Sequence, residues 1–275
     1  MLSIITAIYN QLPMNRLYFE YLKKYTHHPY ELIIIDNGST DGSREFFENS
    51  GAKVIKNDAN YSYPHCQNQG IKEAKYDLLI FLNNDLLVSK NWDKRAIEIM
   101  QQENIDIATC AATDCRETKK ATYISQKRWK YVRNPLLFLF GTPEWNLKLM
   151  HCFMYGNWEK WTENHYSKFG NQIKEGIAGS NVIMTRKAIE KVGDWDKRLQ
   201  SADFDLFLRS KKRAMEHKDI KPVQILKGIY LHHFIRLTVK AKYPPFADKD
   251  NLISLLEKWD KKEALELIKN TDMVL

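Results

Sequence analysis

The chain has 275 residues, of which 44% are hydrophobic, and 42 basic against 34 acidic side chains give it a formal net charge of +8. No apolar run approaches the roughly 20 residues that span a bilayer, and no flexible linker or internal repeat interrupts the sequence. The four cysteines show neither paired nor metal-type spacing, and the N-terminus lacks the pattern of a signal peptide. We therefore expect one compact unit in a reducing compartment, with a charge that favours polyanionic partners.

Three apolar segments in the first third of the chain are predicted to be buried β-strands, and polar residues follow each one. The segments are Leu2–Ile8, Glu31–Ile35 and Asp77–Leu82, and they are followed by Tyr9 and Asn10, by Asp36, and by Asn83, Asn84 and Asp85. Strands without polar alternation are typical of a sheet that is covered on both faces. Asn and Asp are also common turn formers, so one such ending alone favours an ordinary turn.

Two short helices are predicted between these strands, at Asn15–Tyr25 and Ser43–Asn49. Leu17, Tyr21 and Leu22 have helical spacing in the first helix, and a Ser or Asp cap begins the second. Strands that alternate with helices indicate right-handed βαβ units and a parallel sheet. The polar strand ends should then meet at one edge of the sheet, where open α/β sheets bind their ligands.

Four sequence blocks in this order resemble the family 2 glycosyltransferases. They are "SIITAIYN", "ELIIIDNGSTDGS", "NQGIKEAKYDLLIFLNND" with the trailing Trp92, and, more weakly, Gly179–Ser210. The resemblance implies an α/β fold of the GT-A type, with a mostly parallel central sheet flanked by helices. It also implies an inverting transferase that uses a nucleotide-sugar donor. We expect a donor-binding half at residues 1–115, an acceptor-binding half at 116–245 and a helical extension at 246–275.

The resemblance assigns the donor site to residues at or near the strand ends. Thr6, Ala7 and Tyr9 match the wall for base and ribose, and Asp36 matches an acidic residue that accepts a hydrogen bond from uracil. The other matching positions are Asn68, Asn83, Asn84 and Asp85. An imide N–H is shared by uracil and thymine and is imitated by guanine, so the identity of the base stays open.

A divalent metal ion is expected beside the donor diphosphate. Mg2+ and Mn2+ bind oxygen ligands and often use one or two carboxylates together with the substrate's phosphates. The Asn-Asn-Asp sequence at 83–85 replaces the Asp-x-Asp of many relatives, so Asp85 is the first-choice ligand. His232 and His233 are both candidates for a second ligand, and His232 is preferred. The sequence is about equally compatible with a histidine ligand to the metal and with a histidine pair that binds no metal.

The segment Ser201–Leu206 matches a family stretch that normally reads Glu-Asp-x-Asp, and this match identifies Asp203 as the catalytic base. One carboxylate opposite the leaving diphosphate is enough to accept the proton of the acceptor hydroxyl. Asp205 competes for this assignment, although a carboxylate in the first turn of a helix is also favourable through the helix dipole alone. Ala202 stands where relatives carry Glu.

The middle of the chain, residues 116–175, resembles the family least and contains many aromatic residues. Sugar rings stack on such residues, so this segment could line an acceptor site, but most of these rings should lie in the core. Within it, Lys119–Arg133 alternates basic and aromatic residues. A solvated basic helix is the first interpretation, contact with an anionic membrane surface the second, and nucleic-acid binding the third.

Together these observations predict a cytoplasmic enzyme, peripheral on the inner face of the membrane in one interpretation. It would move a hexosyl or N-acetylhexosaminyl group from a UDP-sugar to a glycan or glycolipid in surface polysaccharide biosynthesis, with Mn2+ or Mg2+ and without nucleic acid. The alternative is a catalytically inactive protein of the same fold that binds nucleotide sugars or glycans. Loops grafted on a common fold set specificity, so the sequence leaves the sugar and the linkage open.

Overall fold

The computed structural model describes residues 1–237 and 243–274, which form a layered α/β structure. Its strands are β1 (Leu2–Ile8), β2 (Tyr30–Asp36), β3 (Lys53–Lys56), β4 (Leu78–Leu82), β5 (Leu86–Leu87), β6 (Ile107–Ala112), β7 (Ile173–Glu175), β8 (Asn181–Thr185) and β9 (Gln224–His233). Its helices are α1 (Leu12–Tyr25), α2 (Ser43–Asn49), α3 (Tyr63–Glu73), α4 (Trp92–Gln102), α5 (Lys119–Phe140), α6 (Glu144–Tyr155), α7 (Trp158–Phe169), α8 (Arg186–Val192), α9 (Ala202–His217), α10 (Leu255–Lys258) and α11 (Lys261–Ile268). A short 3-10 helix spans Lys249–Asn251.

The described strands form one sheet in the order β3-β2-β1-β4-β8-β6-β9-β5, and β7 pairs with β9 outside this order. β1, β2, β3, β4, β6 and β9 run in one direction, whereas β5, β7 and β8 run against it. The predicted α/β fold with a mostly parallel central sheet is therefore confirmed. The carboxyl ends of the strands that share a direction lie at the same edge of the sheet.

The first predicted elements match the observed ones closely, apart from the start of the first helix. α1 begins at Leu12, earlier than the predicted Asn15, because Asp41 Oδ2 accepts a hydrogen bond from Leu12 N at 2.8 Å. Asn10 and Gln11 have φ of 54° and 70°, an uncommon conformation for residues other than glycine. This turn ends β1 sharply and directs the chain into α1.

The core has two clusters because successive strand residues point to opposite faces of the sheet. In β2, Leu32 and Ile34 belong to one cluster, and Ile33 and Ile35 belong to the other. Helices α1, α4, α6 and α7 cover the first face, and α3, α8, α9 and α11 cover the second. Hydrophobic burial on both faces thus explains the absence of polar alternation in these strands.

The sheet joins the segments that the sequence analysis separated. β8 pairs with β4, and β6 pairs with β9, so strands on both sides of residue 115 hydrogen-bond to each other. The division at residues 115 and 245 stays a prediction. Among the described residues, no helix has the length and apolar character that a membrane span requires.

We predict that Gly70→Ala destabilises the fold, because α3 crosses β1 at this glycine. A Cβ atom at position 70 would overlap Cγ2 of Ile5. Overpacking of this kind costs about 1–3 kcal/mol of unfolding free energy, which urea denaturation would measure. Lys72→Ala on the exposed side of the same helix is the control, with an expected change within about 0.5 kcal/mol. Equal stability of the two variants would contradict the close contact.

Candidate functional site

The edge of the sheet that holds the carboxyl ends of the parallel strands collects the polar residues. Asn83–Asp85 follow β4, Asp114 lies two residues after β6, and His233 ends β9. β8 begins at the same edge, where Asn83 N donates a hydrogen bond to Ser180 O at 3.0 Å. Strands far apart in sequence thereby contribute to one site.

His233 lies between two carboxylates at this edge. Its Nε2 is 3.3 Å from Asp85 Oδ1, and its Nδ1 is 3.0 Å from Asp114 Oδ1. Burial would lower the pKa of His233, but Asp114 and Asp85 reverse the effect and raise it well above the usual value. Burial would likewise raise the pKa of Asp114, and His233 holds it below the usual range. The three side chains form a charged row across the site.

His232 does not join this row, and the preference for it over His233 is corrected here. Neighbouring strand residues point to opposite faces, and β9 pairs His233 with Leu86 and His232 with Leu87. The His232 ring is fully buried, with its Nδ1 2.7 Å from His151 Nδ1. Burial lowers its pKa well below the usual value. It belongs to the aromatic core, away from Asp85.

A first cleft of about 480 Å3 lies on the Asp85 side of the row. Its volume is in the range of small-molecule sites. The predicted residues that line it are Ala7, Tyr9, Asn83, Asn84 and Asp85. Residues 243–246 close one wall, where the ring of Tyr243 meets the ring of Tyr9 edge-on at 5.2 Å.

Asp36 ends β2 near this cleft, but its side chain is fully buried. Its Oδ1 accepts a hydrogen bond from Ser39 N at 3.0 Å, and its Oδ2 accepts one from Arg44 Nε at 2.5 Å. Both oxygens therefore have partners within the chain. The carboxylate fixes the turn after β2, and Asn37 rather than Asp36 lines the cleft.

Thr6 and Asn68 also lie outside the lining of the first cleft. Thr6 Oγ1 is 2.7 Å from the hydroxyl of Tyr18 on the α1 side of the sheet. Asn68 holds the backbone of Trp195, because its Nδ2 donates to Trp195 O at 2.7 Å and its Oδ1 accepts from Trp195 N at 3.1 Å. Both side chains join elements of the fold, and neither faces a ligand-sized space.

A second cleft of about 440 Å3 lies on the Asp114 side of the row and contains Asp203. Asp203 is in the first turn of α9, and a Cβ at position 179 would overlap its carboxylate, so the loop approaches closely because residue 179 is glycine. Burial raises the pKa of Asp203, and the charge of Asp114 adds to this effect. A carboxylate with a raised pKa in a cleft is suited to accept a proton.

Asp205 is separated from both clefts and is occupied by structural contacts. It is fully buried, and its carboxylate accepts from Arg209 Nε at 2.7 Å, Lys258 Nζ at 2.7 Å and Trp259 Nε1 at 2.8 Å. It thereby joins α9 to the C-terminal segment. Between the two candidate carboxylates, Asp203 is the one that lines a cleft.

Asp114 is the site residue that the sequence reasoning missed. It follows the apolar strand β6, just as Asp85 follows β4 and Asp36 ends β2. The same rule of a carboxylate after a buried strand would have found it.

Residues 3–193 match the family model described as glycosyl transferase family 2. The chain belongs to this family. Among curated proteins it is similar to the O-antigen biosynthesis protein RfbC of Myxococcus xanthus, with 23% identity over 223 residues. That match covers 75% of this chain and 16% of RfbC. This family 2 glycosyltransferase chain therefore spans a small part of that relative.

Solved structures show the same fold at low identity. Residues 1–349 of TarS from S. aureus align with a TM-score of 0.54 and 13% identity, covering 99% of this chain and 66% of that one. Mannosyltransferase PcManGT from Pyrobaculum calidifontis aligns with a TM-score of 0.51 and 14% identity, covering 82% and 56%. At this identity the likeness supports the fold alone.

The row of charged residues fits a cation on the first-cleft side. Asp85 Oδ1 is buried and has no hydrogen-bond partner. The Nε2 atom of His233 is 3.3 Å away, which is close enough for an ion pair, but its geometry is not that of a hydrogen bond. Such an orphaned oxygen suits a hard divalent ion. The described residues contain no group of three or more His, Cys, Asp or Glu side chains able to hold a metal ion. Donor phosphates would have to complete the coordination.

We predict that Asp205→Ala unfolds more easily than Asp203→Asn. Removing Asp205 leaves Arg209 and Lys258 without their buried partner, which costs about 3–5 kcal/mol when a buried pair is broken. Asp203→Asn keeps the shape of a side chain that has no cation beside it. Urea denaturation of both variants would measure the difference, and a greater loss in Asp203→Asn would refute the structural role of Asp205.

Proposed function

We propose that this chain is an inverting, metal-assisted glycosyltransferase that moves a sugar from a nucleotide donor to a hydroxyl of a glycan or lipid-linked glycan. The observation that carries the proposal is the row Asp85–His233–Asp114, which joins a nucleotide-sized cleft to a second cleft containing Asp203. One cleft would bind the donor and the other the acceptor. A reacting sugar would then lie near the row, between the two clefts.

The donor would lie in the first cleft. Ala7 and Tyr9 would form the wall for base and ribose, and Asn83, Asn84 and Asp85 would face the diphosphate. Asp36 keeps its pair with Arg44 in this proposal and supports the cleft from behind. Contacts to the base edge would come instead from the backbone of the surrounding loops, because the Asn37 amide is bound to Tyr61 O and Asn57 Nδ2.

A UDP-sugar is the proposed donor. TarS, which shares the fold, has been crystallised with UDP and with UDP-GlcNAc, at TM-scores of 0.53 and 0.51 to this chain. PcManGT has been crystallised with GDP-Man and Mn2+. These complexes support a sugar linked to a nucleoside diphosphate as the donor class, and the PcManGT complex supports Mn2+ as the assisting ion.

Asp203 would act as the base in a single displacement. Its carboxylate accepts the proton of the acceptor hydroxyl while the hydroxyl oxygen forms a bond to the anomeric carbon. The bond from that carbon to the phosphate oxygen breaks, and its electron pair leaves with the nucleoside diphosphate. Attack opposite the leaving group inverts the anomeric configuration. Holding both reactants in line supplies much of the acceleration.

Asp85 and His233 would hold the divalent ion, whose positive charge stabilises the departing diphosphate. Asp114 would accept a hydrogen bond from His233 Nδ1 and keep Nε2 directed at the ion. Carboxylates commonly orient metal-binding histidines in this way. Because an imidazole binds a metal only in its neutral form, binding of the ion would release the Nε2 proton of His233 to solvent and replace its ion pair with Asp85.

We predict that Asp203→Asn lowers kcat by about 100- to 10,000-fold, the usual contribution of a general base, with little change in donor affinity. The readout is release of free nucleoside diphosphate from a panel of nucleotide sugars with Mn2+, together with NMR of the product anomer. The base must be deprotonated, and the pKa of Asp203 is raised. Wild-type activity should therefore fall as the pH is lowered, at a pH above the ordinary pKa range of an Asp side chain.

Asp194→Asn is the matched control, because Asp194 is exposed and precedes α9 in the sequence. This change should leave kcat unchanged. Normal turnover by Asp203→Asn would remove this residue from the proposed role. If the wild-type chain binds a nucleotide sugar but neither hydrolyses nor transfers it, the catalytically inactive binding protein becomes the better description. A retained anomeric configuration would refute single displacement.

We predict that Asp85→Ala and His233→Ala each weaken Mn2+-dependent donor binding by at least about tenfold, equivalent to 1.4 kcal/mol. Calorimetry with and without Mn2+ separates this effect from metal-independent binding. His217→Ala, an exposed histidine of α9, is the control. Unchanged Mn2+ dependence in both site variants would disprove the proposed ion site.

A further inference from the structure

The hairpin of α5 and α6 exposes basic and apolar side chains along its length. α5 carries six basic residues and no acidic ones. Tyr131, Leu139 and Phe140 of α5 and Trp145 and Phe153 of α6 each expose between 47% and 68% of their surface. We call these exposed residues the basic-aromatic surface, and they are Lys120, Lys127, Lys130, Tyr131, Leu139, Phe140, Trp145 and Phe153.

The hairpin that carries this surface is fixed to the rest of the chain. Trp129 is buried, and its Nε1 donates a hydrogen bond to Ile235 O at 2.9 Å. At the tip, Asn146 Nδ2 donates to Leu136 O at 3.0 Å and to Gly141 O at 2.7 Å. The apolar residues are thus presented to solvent by an anchored scaffold.

We propose that the basic-aromatic surface docks the protein on an anionic lipid bilayer. Large exposed apolar residues next to each other mark an interaction surface. A helix with Lys and Arg beside Trp, Phe and Leu is suited to the bilayer interface, where the cations meet anionic headgroups and the apolar side chains enter the acyl boundary. An anionic bilayer would therefore bind both the basic and the apolar side chains of this surface.

Two other partners use the surface less well. A nucleic acid would pair with the lysines but would leave aliphatic Leu139 in water. A second copy of the chain in a symmetric dimer would place one α5 against another, so basic helices without acidic residues would repel each other. An anionic bilayer has the opposite charge and also accepts the apolar side chains.

The position of the surface bears on the acceptor, and this step rests on the proposed function. Tyr123 and Gln126 of α5 line the second cleft and also the groove that contains Lys127 and Lys130. Docking would therefore bring the Asp203 cleft to the edge of the bilayer. A glycan carried on a membrane lipid is the acceptor class that such an arrangement fits.

The test is sedimentation of the full chain with phosphatidylcholine vesicles that contain or lack phosphatidylglycerol. The wild-type protein should bind the anionic vesicles and lose binding as salt is added. Replacing Lys120, Lys127 and Lys130 by Gln should weaken binding by about 100-fold, because each lysine near an anionic surface contributes roughly fivefold. Leu139→Ser combined with Trp145→Ser should weaken it as well.

Matched variants separate a local surface from overall charge. Lys72, Lys75 and Lys94 are exposed elsewhere, and their joint replacement by Gln removes the same charge. Leu256→Ser with Leu265→Ser is the apolar control on the C-terminal helices. Thermal melting should show that all four variants are folded. Equal losses in test and control variants, or no loss in the test variants, would overturn the proposal.

The two proposals fail separately in these assays. Release of nucleoside diphosphate in vesicle-free solution tests the transferase, and it should be unaffected by the surface variants. Vesicle binding tests the surface without requiring turnover. Tighter binding of duplex DNA than of anionic vesicles, sensitive to the lysines but not to Leu139 and Trp145, would replace the bilayer with a nucleic acid. A concentration-dependent dimer abolished by Leu139→Ser would replace it with a second copy.

Discussion

The placement of His233 between Asp85 and Asp114 is the interaction on which the site depends. It requires β4, β6 and β9 to end at one edge, because each strand delivers one member of the row. The imidazole is buried and flanked by carboxylates, so its positive charge offsets the repulsion that two acidic groups would otherwise have across the clefts. An ion in the first cleft would neutralise Asp85 in place of the imidazolium, and Asp114 would retain its contact with the ring. The same three residues therefore fit the chain with and without a ligand.

Much of the fold could be predicted from the sequence because local and global signals agree. Apolar runs such as Leu78–Leu82 are too uniform for a sheet with a solvent face, and helices separate the early strands, so a parallel sheet covered on both sides follows. The direction shared by these strands then places Asn83, Asn84 and Asp85 at the ligand edge. For these positions the sequence alone specified both the element and the edge of the sheet.

Other parts of the site could not be predicted because they depend on partners distant in sequence. In β9, the residues before His232 and His233 are apolar on both faces of the strand, so the sequence pattern does not show which histidine faces the site. The pairing of β9 with β5 places His233 on the side of Asp85. Thr6, Asn68 and Asp36 have polar side chains near the strand ends, yet Tyr18, Trp195 and Arg44 engage them. Asp205 differs from Asp203 in its contacts with Trp259, Lys258 and Arg209. A polar residue near the ligand edge of the sheet thus either faces a cleft or links elements of the fold, and its contacts in the folded chain determine which.

The aromatic-rich middle segment also contributes to the lining of the second cleft, through Lys119, Thr122, Tyr123, Gln126, Lys174 and Glu175. α5 begins beside Asp114 and extends its basic and aromatic residues away from the row. In the proposed function the first cleft would bind a diphosphate of fixed chemistry, which would constrain the strand ends, whereas recognition of a variable acceptor would belong to segments grafted on the sheet. The α5–α6 hairpin lines the second cleft and also carries the basic-aromatic surface. One element would therefore serve both acceptor binding and docking on the bilayer. Because the same helix would contact bilayer and acceptor cleft, the depth and angle of docking would select which lipid-borne hydroxyl can reach Asp203.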